Sequence, residues 1–528
     1  MSDAKRRFLS FLLVIVLFGV LMYTAIRVSD KEGEQVFSAK DTITLWYTDE
    51  VLTDYLNSIA LAYYEDTDVH VDTKLVSGVE YLENINKACL TKDGAPDLYI
   101  IGNSSLEKAY LAGLAEEVKD KAGILTTEHF GQAALNAVTY NGKLIGYPMY
   151  FDTCCFVYNK TFMEGIARAE VEAIWEEEGL KQVFLDSVAG NTRAEENEIN
   201  PEDVQPEEGA DEEASEEEIN PLYEYPIFVD EVSEHAKTLV PSTIADILNF
   251  SDKYDAPEGV ETMLKWDVKD IFSNFFFVGN YINLGGKAGD DLSQIDIYNE
   301  NAIQCITIYQ SLSQFFSIDA ETSSYENIIR EFIEGKTFFT MATTDVVEIL
   351  EHAKATGEFP YEYGVTTIPD LSDELLTKGF SYTDAVVING YGDKKEEANA
   401  FARYICDIHA NSLYERTGKI SACTDVYYEN DAVNTILEEY ATTVPMPKAI
   451  ETYGLWIELE AAFTNVWKGD DPNLTLKTFS EKTMKQITGE EFTEEYIEVE
   501  EVNLLDPEET EEIPEGAEMA DDTETETL

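Results

Sequence analysis

Apolar positions along this chain recur with two periods that take turns. Ile43-Thr44-Leu45-Trp46-Tyr47 reads as a strand, and Leu52 to Tyr64 then carries apolar residues at helical spacing. A second strand is predicted near His70 to Leu75, a second helix over Val79 to Leu90, and a third strand ending at Gly102-Asn103 after the turn Gly94-Ala95-Pro96-Asp97. Strands alternating with helices predict an α/β lobe on a mostly parallel sheet. The rhythm changes in VTYNGKLIGYPMYFDTCCFVYNK, Val138 to Lys160. Here a turn at Asn141-Gly142 leads to a short apolar run, then Tyr147-Pro148, an aromatic and acidic loop, and the β-favouring run CCFVY. That order predicts two strands hinged about a loop, a connection between lobes rather than catalytic machinery.

Length and charge narrow the picture. A chain of 528 residues buries at least two substantial cores, so two or three domains are expected. With 36 Lys and Arg against 105 Asp and Glu, the net charge of −69 repels nucleic acid and anionic lipid alike. The acid is partly concentrated: 13 Asp and Glu lie between 195 and 218, and 18 between 490 and 528, with no Lys or Arg in either tract. Such tracts are usually solvated and disordered, and neither contains a Ca²⁺ loop of the Asp-x-Asp-x-Asp-Gly type. At the other end, Lys5, Arg6 and Arg7 precede 19 uncharged, mostly apolar residues, Phe8 to Ile26, closed by Arg27. As a helix that run spans roughly 28 Å, one hydrocarbon core, with the basic side in the cytoplasm and the main body outside. A cleaved secretory signal is the alternative, but Tyr23-Thr24-Ala25 makes a poor small-x-small cleavage site, which favours an uncleaved anchor. The polar stretch Val28 to Lys40 reads as a spacer.

Chemistry-bearing motifs are scarce. There is no Gly-x-Ser-x-Gly elbow, HExxH, Walker loop or Gly-x-Gly-x-x-Gly after a strand. The five histidines are scattered, and the six cysteines form neither a CxxC nor a metal-ligand pattern, so no catalytic or metal residue is assigned. Cys154 and Cys155 are adjacent, with Cα atoms about 3.8 Å apart, closer than disulfides normally permit. Most cysteines read as buried thiols, with one or two long-range disulfides left open.

ITLWYTDE (Ile43 to Glu50), GAPDLYIIGN (Gly94 to Asn103), YNGKLIGYP (Tyr140 to Pro148), VPSTIADILNFSDK (Val240 to Lys253), FIEGKTFFTMA (Phe332 to Ala342) and the segments Gly379 to Asn389 and Glu396 to Tyr404 stand in one order. In that order they resemble the extracellular solute-binding proteins of ABC importers, particularly the maltose and maltodextrin type, over about Asp41 to Glu491. The resemblance implies an α/β fold of two lobes, the type II-like periplasmic-binding-protein fold, with a ligand cleft between them. Residues 1–30 would be the anchor or signal, 31–40 a linker, 41–148 with 366–412 the first lobe, and 149–365 with 413–490 the second. An acidic insertion at about 190–222 and a disordered acidic tail, 491–528, complete the division. The chain departs from the family in the long segment from Lys160 to Val240, which adds a helical stretch, the acidic tract and an aromatic piece near Tyr223 to Val229. It also lacks the lipobox cysteine that anchors many Gram-positive members.

Sheet architecture places candidate binding residues beyond the carboxyl ends of the strands. These are Thr48, Asp49 and Glu50 after the first strand, and Asn103, Ser104 and Ser105 after the third. Short polar side chains exchange hydrogen bonds with sugar hydroxyls, and aromatic faces cover the apolar faces of a pyranose. By resemblance, the matching positions elsewhere are Asp152, Phe275 and Phe276 in SNFFFVGNYINLGG, Thr343 to Asp345, Tyr382 and Asp384 in SYTDAVVI, and above all Trp456 in YGLWIELEAAF. At least one of Phe275, Phe276 and Phe277 must be core, and Trp46 and Trp467 read as packing. Two other family tryptophans are replaced here by Ile101 and Asp345, which weakens the case for maltodextrin in particular. The implied function is capture of a small solute, a carbohydrate first, by a monomer at the outer face of the cytoplasmic membrane, delivered by hinge closure to ABC permease subunits without a cofactor. The competing readings are a tethered receptor feeding a sensor kinase and a binder of peptide or polyamine.

Overall fold

The computed structural model describes residues 42–91, 94–187 and 220–499. The predicted apolar span 8–26 and the acidic tract 195–218 lie outside them. Among the described residues no helix is long and apolar enough to cross a membrane.

One mixed sheet organises the chain, in the order β2 (His70–Leu75), β1 (Thr42–Tyr47), β3 (Leu98–Gly102), β10 (Phe380–Ile388), β6 (Tyr147–Asn159), β8 (Thr337–Thr343) and β7 (Thr262–Lys265). Two short strands join from the side, β9 (Tyr363–Thr366) on β6 and β11 (Val444–Pro445) on β10. The first three strands run parallel, as the strand–helix alternation predicts, while β10 is antiparallel to both β3 and β6.

The side-chain period of two gives every central strand two buried faces. Ile43, Leu45, Leu98, Ile100, Val386, Ile388, Cys155 and Val157 share one core that runs the length of the sheet, covered by the helices Thr53–Thr67, Thr127–Val138 and Asp431–Thr442 among others. The alternate positions divide. Trp46, Tyr99, Ile101, Ala385 and Val387 form a core with the helix Tyr81–Thr91, whereas Cys154, Phe156, Phe338, Phe339 and Met341 belong to a separate one. The latter is built by helices that include Lys160–Glu177, Pro226–Thr238, Glu300–Leu312 and Leu455–Trp467. The sheet therefore carries two bodies, and β6 runs through both.

That strand corrects the expectation of two strands hinged about a loop. A short hairpin, β4 (Thr139–Tyr140) with β5 (Lys143–Leu144), is followed by 13 uninterrupted strand residues. Tyr147 to Thr153 pair with β10, and Cys154 to Tyr158 pair with β8. Most of YPMYFDTCCFVYN favours a strand, being aromatic, β-branched or thiol-bearing, and Pro148 sits where the register with β10 shifts by one, a bulge that tolerates its missing N–H.

The tail is also corrected at its start. Residues 491–499 are tied to the helix Pro472–Thr488 and to Tyr298, just before the helix Glu300–Leu312: the Ile497 N–H donates to the Tyr298 hydroxyl at 3.1 Å, Asn473 donates to the Ile497 carbonyl at 2.8 Å, and Ser480 donates to Glu494 at 2.6 Å. The tail from 500 onward lies outside the described residues. In the added segment, Lys160–Glu177 and Pro226–Thr238 pack through Trp175 and Phe228, ring centroids 5.2 Å apart. All six cysteines are free thiols, five of them buried.

Candidate functional site

Three positions interrupt otherwise buried central strands. On β6 the half-exposed residue among the first seven is Asp152, and on β10 the half-exposed residues are Tyr382 and Asp384. The antiparallel register sets Asp152 opposite Tyr382 and Tyr150 opposite Asp384. Because i and i+2 share a face, these four side chains form a checkerboard of two tyrosines and two aspartates on one side of the strands that join the two bodies. The Thr344 hydroxyl, arriving from the end of β8, bonds the Asp152 carboxylate.

Electrostatics knit the cluster. Burial holds the Asp384 carboxyl up at about 7, helped by Asp152 and Asp49, against the pull of Lys419 and the Tyr150 hydroxyl. Asp49 follows β1; it caps the turn at Glu50–Leu52 through the Val51 N–H at 3.0 Å and faces the Lys419 ammonium at 3.5 Å. That ammonium lies 5.4 Å from the centroid of the Tyr150 ring. Burial, then Asp384, pushes the Tyr382 hydroxyl up to about 12, and a bond to Ser104 draws it down. The Tyr382 ring lies over Gly102, where a Cβ would overlap it, so the end of β3 needs glycine for this close approach.

A cavity of about 650 Å³ opens beside the checkerboard, lined by Thr48, Gly78, Tyr81, Ser104, Tyr382, Asp384, Lys448 and Tyr453 among others. It lies beyond the carboxyl ends of β1 and β3, where ligands of open α/β sheets sit. Lys448 is enclosed at its far edge, donating to the Asn136 carbonyl at 3.0 Å and to that of Ala288. Burial drives its ammonium down to about 7, against Asp290 and Glu107.

The structure thus brings together Thr48, Asp49, Ser104, Asp152, Tyr382 and Asp384. Asn103 is different: it is fully buried, its amide donates to the Met446 carbonyl at 2.8 Å and accepts the Thr383 N–H at 3.1 Å, and nothing of it remains for a ligand. Glu50 is exposed on the turn after β1. Thr343 and Asp345 bond each other at the end of β8, where the Tyr325 hydroxyl also donates to Asp345 at 2.8 Å. Asp345 lines a separate depression of about 940 Å³ with Val51, Glu348 and His352; that one is wider, but no aromatic–carboxylate cluster from the central strands faces it. Phe275, Phe276 and Phe277 are all buried, Phe276 within the core. Trp456 stacks on Phe380, centroids 4.8 Å apart at 25°, and with Phe275 lines another cavity of about 390 Å³. Trp46 and Trp467 are buried, as expected. Tyr150 and Lys419 were not anticipated; the period-two rule pairs Tyr150 with Asp152, whereas nothing near Lys419 in sequence marks it.

No protein-family model matches the chain. It is similar to the maltodextrin-binding protein MdxE of Bacillus subtilis (strain 168), 19% identical over 458 residues that cover 84% of this chain and 89% of that protein. Among solved structures, the extracellular solute-binding protein from Staphylococcus aureus in complex with maltose superposes with a TM-score of 0.63 at 18% identity, covering 85% of this chain and 99% of that one. The maltose-binding periplasmic protein MalE from Listeria monocytogenes in complex with maltose gives 0.58 at 18% identity, covering 87% of this chain and all of the other, 100%. The fold is theirs.

Proposed function

We propose, from the premise that this chain resembles the extracellular solute-binding proteins of ABC importers in sequence motifs and shares their fold, that it is the substrate-binding component of such an importer and captures a carbohydrate. The observation that carries this reading is the cavity at the carboxyl ends of β1 and β3, lined by Tyr382 and Asp384, with Tyr150 and Asp152 beside them on the strands shared by both bodies. Tyrosine faces cover the C–H faces of a pyranose, and carboxylates and hydroxyls take its OH groups. The relatives' maltose complexes support the ligand class.

In this reading Thr48, Asp49, Ser104, Asp152, Tyr382 and Asp384 contact the sugar. The first lobe comprises about 41–148 and 366–412, and the second about 149–365 and 413–490. Closure about β6 and β10 buries the ligand and changes the surface that a permease reads. The apolar run Phe8 to Ile26 holds the protein at the outer face of the cytoplasmic membrane as a tethered monomer. No reaction is catalysed.

Calorimetric titration with maltose, maltotetraose and other neutral oligosaccharides tests the reading. At least one binds with a dissociation constant in or below the micromolar range, and Tyr382→Ala weakens it by roughly 1 to 3 kcal/mol, the scale of a buried aromatic contact. A folded protein that binds no saccharide overturns it.

A further inference from the structure

Between β11 and the helix Leu455–Trp467 the chain is stitched to both bodies. The Asn103 amide donates to the Met446 carbonyl at 2.8 Å, the Lys448 N–H to the Gly289 carbonyl at 2.8 Å, and the Ile450 N–H to Glu107 at 2.6 Å. Lys448 extends the stitch through its side chain. Its Nζ donates to the Asn136 carbonyl at 3.0 Å, near the end of the helix Thr127–Val138 in the first body, and to the Ala288 carbonyl on a loop of the second. The residue is 1% exposed, so these bonds form where little water competes. About the hinge proposed above, opening the cleft parts Asn136 from Ala288 and breaks at least one of them. The donor count matters here. An ammonium has three N–H donors and a neutral amine two, so two carbonyls satisfy the amine and leave one donor of a buried ammonium unpaired, at a cost in free energy.

We propose that Lys448 is a proton-operated latch: its neutral amine clasps the two bodies together, and protonation lets them part. This rests on the hinge of the carbohydrate reading but not on which solute fills the cleft. The charged groups that act on the side chain are Asp290, on the loop that carries Ala288, and Glu107, on the helix Leu106–Leu111. Both are engaged elsewhere, Asp290 by the Asn141 N–H at 2.6 Å and Glu107 by the Tyr140 hydroxyl at 2.9 Å. On the same loop Lys287 is exposed and Asp291 accepts from Ser293 and Gln294; on the hairpin Lys143 faces Glu117 at 3.6 Å, and Glu451 is exposed. The last seven residues of the helix Thr127–Val138 hold no titratable side chain. In the closed form burial lets the amine lose its proton near pH 7, whereas a solvated lysine keeps one to about 10.4. Between those values the closed form binds fewer protons than the open one, so closure releases a proton and rising pH favours it. Tyr140, pushed up to about 12 by burial and by Glu107, stays protonated through that window.

Pulsed electron paramagnetic resonance tests the latch through the distance between two spin labels, attached at the exposed positions Leu111→Cys in the first body and Leu474→Cys in the second. The full-length chain carries Cys89→Ser as well, so that the native thiols left among the described residues are buried. With no sugar present, the closed-to-open ratio is expected to rise by up to about tenfold per unit between about pH 7 and about pH 9.5. Lys448→Arg, which stays charged, holds the longer distance at every pH, and Lys448→Met, which takes no proton, shows no pH dependence. A distance that does not change with pH while Lys448 is intact, or that still changes in Lys448→Met, overturns the latch. Saturating maltotetraose separates this from the function proposed above. Shortening with sugar but not with pH overturns the latch alone, and no shortening with either overturns the latch and the hinge together.

Discussion

Asp384 shows how one residue's surroundings set a pH response. The folded chain keeps its proton to about 7, whereas an unfolded chain gives it up near the ordinary carboxylate value of about 3.9. Between those values the native state binds the extra proton, so stability falls as pH rises through that window. Asp384→Asn removes the dependence: the variant is expected to exceed the natural chain by roughly 1 to 3 kcal/mol at pH 8 and to match it near pH 4. Thermal denaturation at the two pH values checks this, and an equal difference at both would sink the assignment. Glu439, buried against Ile368, whose N–H it accepts at 3.0 Å, is also held up to about 7 and leaves the variant some residual slope of the same sign. Asp152, Tyr382 and Asp384 were named in the sequence by resemblance to the family's motifs and not by their own spacing; what sets them side by side is the register of β6 with β10. Lys419 was not, since its meaning depends on Asp49 and Tyr150, hundreds of residues away.

At the scale of elements, the strand and helix order of residues 42–102 was readable because each segment carries its own period. The long strand β6 was misread for a physical reason: Asp152 looks like a loop residue in YFDTCC, yet the bond from Thr344 and the open cleft solvate its carboxylate in place. Asn103 misleads in the opposite direction. A polar residue just past a strand looks the same whether it faces a ligand or ties two strands together, and the distinction lies in Thr383 and Met446. Since it sews β3, β10 and the segment after β11 into one unit, Asn103→Ala is expected to cost about 1 to 3 kcal/mol by leaving the Met446 carbonyl and Thr383 N–H unpaired. Denaturant unfolding measures it; a loss below about 0.5 kcal/mol would mean that water replaces the amide. Trp456 shows the same ambiguity among aromatics, for a ring spaced to stack on a sugar stacks here on Phe380.

The whole molecule adds what no segment contains. The two bodies touch away from the shared strands as well: the Asn141 N–H donates to Asp290 at 2.6 Å, and the Ile450 N–H to Glu107 at 2.6 Å. The order of family motifs made the two-body arrangement legible, while these contacts, which depend on the 279–291 and 444–453 segments folding back, were not. The shared sheet also sets a timetable. Residues 98–102 and 147–153 meet only through β10, which lies at 380–388. During synthesis the ribosome must therefore release more than two hundred further residues before the edges of β3 and β6 find their partner, and a chain awaiting that strand exposes two unpaired edges. A chain ended after residue 379 is expected to lack a cooperative melting transition and to aggregate, as scanning calorimetry and light scattering would record. A sharp transition in that fragment would show that the first body folds without waiting. The long delay between those edges and their partner makes this protein, at birth, a natural client for a holding chaperone.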